Sequence, residues 1–84
     1  MELKDTIEMM NSSNYKERFK SEYYQLEIRI RKLDKMLCDW IKGDLSFTPT
    51  CDFELLNEQL GAMKKYSMLL EKRARIEGID LIEI

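Results

Sequence analysis

The stretch that decides the fold is Tyr15–Lys42, YKERFKSEYYQLEIRIRKLDKMLCDWIK. Its apolar side chains recur at alternating steps of four and three residues, a spacing that places them on one face of an amphipathic helix packed against a partner helix. They are Phe19, Tyr23, Leu26, Ile30, Leu33, Leu37 and Trp40. Because no Gly or Pro interrupts the stretch, we predict one continuous helix over residues 15–42, about 42 Å long at about 1.5 Å per residue.

A second helix with the same spacing follows a short loop. Gly43 favours the end of the first helix, and Pro49 disfavours helical backbone at the residue before it. We therefore predict a loop over 43–51 and a second helix over 52–77. The apolar seam of this helix is Leu56, Leu60, Met63, Ser67, Leu70 and Ala74. Asn14 or Ser13 is the expected cap of the first helix, and Thr48, Thr50 or Asp52 that of the second.

The two ends of the chain have their own patterns. Residues 1–14 form an N-terminal arm in which Leu3, Ile7 and Met10 lie on one side of a short helix. Two interpretations of this arm stay open: a mobile segment, or a short helix that folds over a neighbour's groove. The C-terminal tail, residues 78–84, is largely apolar, and we expect it to pack against the hairpin or a partner subunit.

These elements predict an all-α fold of one domain, residues 1–84: an antiparallel two-helix hairpin with a short N-terminal helix or arm. Each helix also carries a second apolar strip beside its seam, which one hairpin cannot cover. Tyr24, Ile28, Met36 and Ile41 form the strip of the first helix, and Leu55, Gln59, Ala62, Tyr66, Leu69, Arg73 and Ile76 form that of the second. We therefore expect a homo-oligomeric helical bundle, from dimer to hexamer.

Composition argues against several classes of function. The chain has no histidine, which removes the usual general base and the commonest metal ligand. Cys38 and Cys51 do not form a CxxC pair, so we expect no zinc site. We expect them to be two buried or half-buried free thiols, and a disulfide across the turn is the alternative. We predict a protein that is not an enzyme and needs no cofactor.

Charge and hydropathy bound the partners and the compartment. A formal net charge of −2 argues against a protein that binds duplex nucleic acid, since such proteins are usually basic. The sequence has no apolar run long enough to span a membrane and no signal-peptide pattern. We therefore expect a soluble protein of the host cytoplasm with no membrane partner.

The candidate site is the open end of the hairpin, where the end of the second helix meets the start of the first. Basic and aromatic side chains gather there, and guanidinium groups bind phosphates while tyrosines stack on bases. The candidate ligand-binding residues are Tyr15, Lys16, Arg18, Lys20, Tyr24, Lys72, Arg73 and Arg75. The alternative is a solvated charged end that complements the dipole of the second helix.

Four segments carry a resemblance to a family of small helical-hairpin proteins found in phages and prophages, including accessory proteins of crAss-like phages. The segments are YKERFKSEYYQL (15–26), FTPTC (47–51), LLNEQLGAMKKY (55–66) and LEKRARIEGIDL (70–81). More loosely, the architecture is similar to that of phage anti-CBASS sponge proteins, short helical hairpins that assemble into hexamers and sequester cyclic oligonucleotide immune signals. No ligand residue of that second family aligns with this chain, and fold alone does not set function.

The resemblance implies a phage anti-defence protein that sequesters a nucleotide immune signal, such as a cyclic oligonucleotide, in a homo-oligomer. The alternative is a protein-binding inhibitor or adaptor, comparable to an anti-CRISPR or a host-factor antagonist, which binds a host defence protein through a helical surface. A coiled-coil spacer that binds neither is the third hypothesis.

Overall fold

Two long helices dominate the computed structural model, which describes residues 1–82. A 3₁₀ turn (Leu3–Thr6) leads into the short helix α1 (Ile7–Met10), followed by α2 (Tyr15–Lys42) and α3 (Phe53–Glu77). α2 and α3 pack against each other as a hairpin, and the described chain measures 43 × 24 × 20 Å along its principal axes. The predicted all-α hairpin is confirmed.

Capping side chains and glycines set the ends of α2 and α3 at nearly the predicted positions. The Asn14 side chain accepts a hydrogen bond from the Lys16 amide (2.9 Å), and the Asp52 side chain accepts one from the Leu55 amide (2.8 Å). Both long helices end at a glycine with left-handed backbone, at φ 79° for Gly43 and φ 68° for Gly78. α3 begins one residue later than predicted because Asp52 is its extended cap.

The core lies along the predicted seams of the two helices. All seven seam residues of α2 and all six of α3 are buried or half-buried. The most enclosed among the apolar ones are Phe19, Leu37, Leu60, Leu70 and Ala74. At the turn end, the rings of Trp40 and Phe53 meet edge to face at 5.5 Å between centroids. The heptad spacing therefore identified the packed faces correctly.

The N-terminal arm forms a 3₁₀ turn and a short helix that pack on α2 of its own chain. Thr6 is fully buried; its carbonyl accepts a hydrogen bond from Ser21 Oγ (3.1 Å) and its hydroxyl accepts one from Gln25 Nε2 (2.9 Å). The predicted apolar face of the arm is wrong, since Ile7 and Met10 stay about half exposed. The segment starts as a 3₁₀ turn of about three residues per turn, which rotates Thr6 toward α2 instead.

The arm and the tail pack against α2, so most of its second apolar strip is covered while that of α3 stays exposed to solvent. On α2, Tyr24 and Ile28 are buried, whereas Ile41 near the helix end is 74 % exposed. The tail packs on the hairpin as expected: Ile79 is buried, and the Ile82 amide donates to the Tyr24 hydroxyl (3.2 Å). Residues 83–84 of the predicted tail lie outside the described residues. The second strip of α3 stays exposed along its whole length.

The two cysteines differ in part from the expectation. Cys38 and Cys51 are free, as expected, but both are exposed rather than buried or half-buried. They sit on either side of the loop between α2 and α3, on positions that face away from the core seam. Within residues 1–82, no helix is both long enough and apolar enough to cross a membrane.

Candidate functional site

The open end of the hairpin brings the start of α2 beside the end of α3, as the antiparallel arrangement predicts. Residues 15–20 and 71–77 together carry six basic and three acidic side chains. At the centre of this end, the Tyr15 hydroxyl donates to Glu77 Oε1 (2.8 Å) and accepts from Arg73 Nη2 (2.8 Å). Arg73 Nε also donates to Glu77 Oε2 (3.2 Å). These three residues form a closed cluster that joins the two helices.

Arg73 is held by an aromatic ring as well as by this cluster. Its guanidinium carbon lies 4.9 Å from the ring centroid of Phe19, a cation–π geometry, and Phe19 is itself buried. The hydrogen bond to Glu77 raises the pKa of Arg73, and the hydrogen bond from Tyr15 lowers the pKa of Glu77. Arg73 therefore acts within the fold, where it positions Tyr15 and closes the hairpin.

Three other predicted basic residues also have partners inside the chain. Lys16 Nζ donates to the Gly78 carbonyl (3.4 Å), and Arg18 Nη1 donates to the Ser12 carbonyl (2.9 Å). Lys20 lies 3.9 Å from the carboxylate of Glu17. The contact of Lys16 at the C-terminal end of α3 is the dipole-complementing role that the alternative interpretation predicts. Each of these contacts is solvent-exposed or long, so each side chain remains able to move toward an anion.

Tyr24 lies in the core rather than at the surface. Its side chain is only 3 % exposed, and its hydroxyl accepts the hydrogen bond from the Ile82 amide. Tyr23 packs beside it with ring centroids 5.8 Å apart. The structure therefore does not bring Tyr24 together with Tyr15 and the basic side chains, and its described contacts hold the tail in place.

Arg75 and Lys72 are the predicted residues that point away from this network. Both are exposed, and neither makes a hydrogen bond or ion pair with any part of the chain from residue 1 to residue 82. Arg75 lines an open cleft of about 380 Å³ between the end of α3 and the tail. The other lining residues are Tyr23, Glu71, Ala74, Ile79, Asp80, Leu81 and Ile82.

The cleft combines one cation, two carboxylates and an apolar wall. The Tyr23 hydroxyl donates to Glu71 Oε1 (2.8 Å), and burial, more than this bond, raises the pKa of Tyr23. Arg75 can bind a phosphate, whereas Glu71 and Asp80 can accept hydrogen bonds from amino groups of a base. Sequence reasoning missed Tyr23, Glu71 and Asp80 as site residues, because only the fold of the tail places Ile79–Ile82 against α3.

The structure offers no cluster for a metal ion in its described part. No three His, Cys, Asp or Glu side chains among residues 1–82 converge on a point where a metal could bind. The arrangement at the open end is thus one of hydrogen-bond donors and acceptors around a shallow cleft.

A family model described as Sequestin matches residues 13–76. The match spans about three quarters of the 84 residues, including α2, the loop and nearly all of α3. It contains every candidate ligand-binding residue and leaves out most of the arm and the whole tail. No curated protein and no solved structure matches the chain.

Proposed function

The chain belongs to the Sequestin family, and from that premise we propose that it is a phage anti-defence protein that sequesters a nucleotide immune signal, such as a cyclic oligonucleotide, in a homo-oligomer. Membership of this family suggests a sequestering protein, one that removes a ligand from solution by binding it. The small size and helical-hairpin architecture fit such a role, since neither a second domain nor a moving part is needed for binding alone.

The observation that carries the proposal is the position of Arg75 in the cleft. A guanidinium group binds a phosphodiester through two parallel hydrogen bonds, and Arg75 makes no bond within residues 1–82 that would compete. Lys72, exposed on the preceding turn, adds a second cation near the same end. The chain as a whole carries a net charge of −2 and the cleft is also lined by Glu71 and Asp80, so the proposed anionic contacts lie on the Arg75 side.

The walls of the cleft suit the base of a nucleotide. Ile79 and Leu81 supply apolar surface, and Tyr23 supplies part of an aromatic ring. Glu71 and Asp80 would repel a phosphate, so the phosphate lies toward Arg75 and the base toward the carboxylates. A volume of about 380 Å³ is near the lower limit of about 300 Å³ for small-molecule sites. A cyclic oligonucleotide is therefore expected to extend beyond the cleft, where another copy in the proposed homo-oligomer can contact it.

The proposal includes binding but no reaction. The polar residues at the described part of the cleft are Tyr23, Glu71, Arg75 and Asp80, and we propose that they hold a nucleotide and orient it. When the protein is unfolded, the ligand is expected to be released chemically intact.

Calorimetric titration tests the proposal. Cyclic di- and trinucleotides and ADP-ribose derivatives are titrated into the full chain, and at least one is expected to bind with a Kd on the order of 1 μM or tighter, about 8 kcal/mol. Arg75→Ala should weaken this binding about tenfold or more, the loss of about 1.4 kcal/mol expected for a charge-assisted phosphate contact. Arg31→Ala is the matched control, since Arg31 is exposed on α2 away from the cleft. No heat with any nucleotide, or equal losses in both variants, would contradict the proposal.

The alternative function, a protein-binding inhibitor or adaptor, has its own supporting observation. Leu55, Leu69 and Ile76 on α3 are 55 %, 48 % and 85 % exposed, and an apolar strip of this length can bind a host defence protein. A stoichiometric complex with such a protein that Leu69→Lys abolishes, in a protein that binds no nucleotide, would favour the alternative.

A further inference from the structure

The outer face of α3 repeats with the period of a coiled coil. The rest of the described chain touches it along one edge, where the Tyr66 hydroxyl donates to Glu22 and Arg73 donates to Tyr15. Leu55, Ala62, Leu69 and Ile76 recur every seven residues, and Gln59, Tyr66 and Arg73 fall between them at steps of four and three. All seven are exposed. Such spacing places one seam along a helix and is typical of a helix with a partner on that side. We call these seven residues the outer strip.

The rest of the described chain is already packed elsewhere. The inner seam of α3 packs on α2, and the arm occupies α2 through Thr6. The tail lies against Tyr24 of α2. Leu55, Ala62, Leu69 and Ile76 stay exposed even so, and we therefore infer that the partner of the outer strip comes from another molecule.

The charges along α3 are separated into two halves. Residues 52–63 carry three acidic side chains and no basic one, whereas residues 64–77 carry five basic and two acidic side chains. The two halves therefore have formal charges of −3 and +3. Such a helix is complementary to itself when two copies run in opposite directions. A parallel pair would set acidic half against acidic half and basic against basic.

We propose that the outer strip pairs with the outer strip of a second copy in an antiparallel arrangement related by a two-fold axis. Centred near residue 64, this arrangement sets the small Ala62 opposite Tyr66 of the second copy, so that a large side chain fills the space beside a small one. It also brings Glu58 of each copy beside Lys72 of the other, so the two-fold axis generates two equivalent ion pairs. Neither Glu58 nor Lys72 has an ion-pair partner among the described residues of its own chain.

This interface deepens the proposed function, since it specifies how two copies meet in the homo-oligomer. The cleft remains available because its α3 residues, Glu71, Ala74 and Arg75, do not belong to the outer strip. In the paired state Lys72 binds Glu58 of the second copy, so Arg75 is the cation that the ligand contacts. The opposed helix dipoles of an antiparallel pair are also favourable.

The test is the molar mass of the full chain by light scattering over a dilution series, with no nucleotide present. The wild type is expected to be a dimer or a larger assembly with an even number of copies. Leu69→Lys should lower the molar mass toward half the wild-type value, while Met68→Lys should leave the molar mass unchanged. Met68 is as exposed as Leu69 (55 % and 48 %) and lies on the same helix, but outside the outer strip. Because both side chains are exposed, circular dichroism should show both variants folded.

Charge exchange tests the direction of the pair. Glu58→Lys alone and Lys72→Glu alone should each lower the association constant about tenfold, and the double exchange should restore it, because each new charge meets its complement on the second copy. A wild type that is monomeric at every concentration, or a double exchange that does not restore assembly, would overturn the antiparallel pairing. Since no nucleotide is present, neither result depends on the ligand.

Discussion

The Tyr15 hydroxyl lies 2.8 Å from Arg73 Nη2, although the two residues are 58 positions apart in the chain. This bond joins the first turn of α2 to the end of α3, and Glu77 closes the cluster from the other side. The open end of the hairpin is therefore held by a few polar contacts over the Phe19 ring rather than by apolar packing alone. It lies beside the cleft in which the ligand is proposed to bind.

Arg73→Ala should weaken the hairpin and the ligand site together. Removing the guanidinium deletes its bonds to Tyr15 and Glu77 and uncovers the Phe19 ring, so we expect Tm to fall by on the order of a few degrees. Arg75→Ala should lower nucleotide affinity with Tm unchanged, because the Arg75 side chain makes no such contacts within residues 1–82. Thermal unfolding and titration of both variants separate the two roles. An Arg73→Ala protein with unchanged Tm would contradict the assignment of Arg73 to the fold.

Lowering the pH should remove the contribution of Glu77 to the stability of the folded state. The Tyr15 hydrogen bond, more than that of Arg73, lowers the pKa of Glu77 below its ordinary value of 4.5. A carboxyl whose pKa is lowered by folding stabilises the folded state above its ordinary pKa, and this contribution is lost as the pH falls through the folded pKa. The urea midpoint of wild type should therefore exceed that of Glu77→Gln at about pH 7, and the difference should shrink as the pH falls below 4.5. A difference that stays constant over this range would be inconsistent with the cluster.

Thr6→Val should release the arm. The substitution keeps the shape of the side chain but removes the hydroxyl that donates to the Leu3 carbonyl (2.7 Å) and accepts from Gln25. The half-buried Leu3 carbonyl then loses its donor, which costs about 1 kcal/mol, whereas Gln25 Nε2 keeps its hydrogen bond to Ser21 Oγ (3.3 Å). Amide exchange over residues 3–10 should accelerate, while exchange in the middle of α2 should not. Thr48→Val, in the exposed loop, is the control; equal exchange in both variants would show that Thr6 does not hold the arm.

The hairpin could be predicted from the sequence because its signals are local. Seven apolar residues at steps of four and three define the inner face of α2, and Asn14, Gly43, Asp52 and Gly78 mark the helix ends. Each of these acts within a few residues of its own position, so a single sequence contains the information.

The position of the arm could not be predicted in the same way. Its contact with α2 combines Met9, which packs against the core, with hydrogen bonds among Thr6, Ser21 and Gln25. The apolar spacing in the sequence does not indicate these polar contacts. Ser21 is 1 % exposed, yet serine occurs more often at surfaces and caps than in cores. The apolar residues Ile7 and Met10 therefore suggested the wrong face.

The candidate site was only partly accessible to sequence reasoning. Antiparallel geometry was enough to bring Tyr15 near Arg73. Arg18 and Lys16 donate hydrogen bonds to the backbone carbonyls of Ser12 and Gly78. The directions of these carbonyls depend on how the chain turns at each helix end, which the sequence does not specify. The cleft itself depends on the tail folding back to Tyr24, a long-range contact that no local pattern specifies.

Recovery of the ligand tests sequestration most directly. The protein is mixed with a cyclic oligonucleotide that binds in calorimetry, free ligand is separated by filtration, and the retained protein is denatured by heat. We predict that the nucleotide disappears from the filtrate in a fixed ratio to the protein, and that chromatography then recovers it chemically intact from the denatured sample. A nucleotide that stays in the filtrate, or that returns cleaved, would contradict the account.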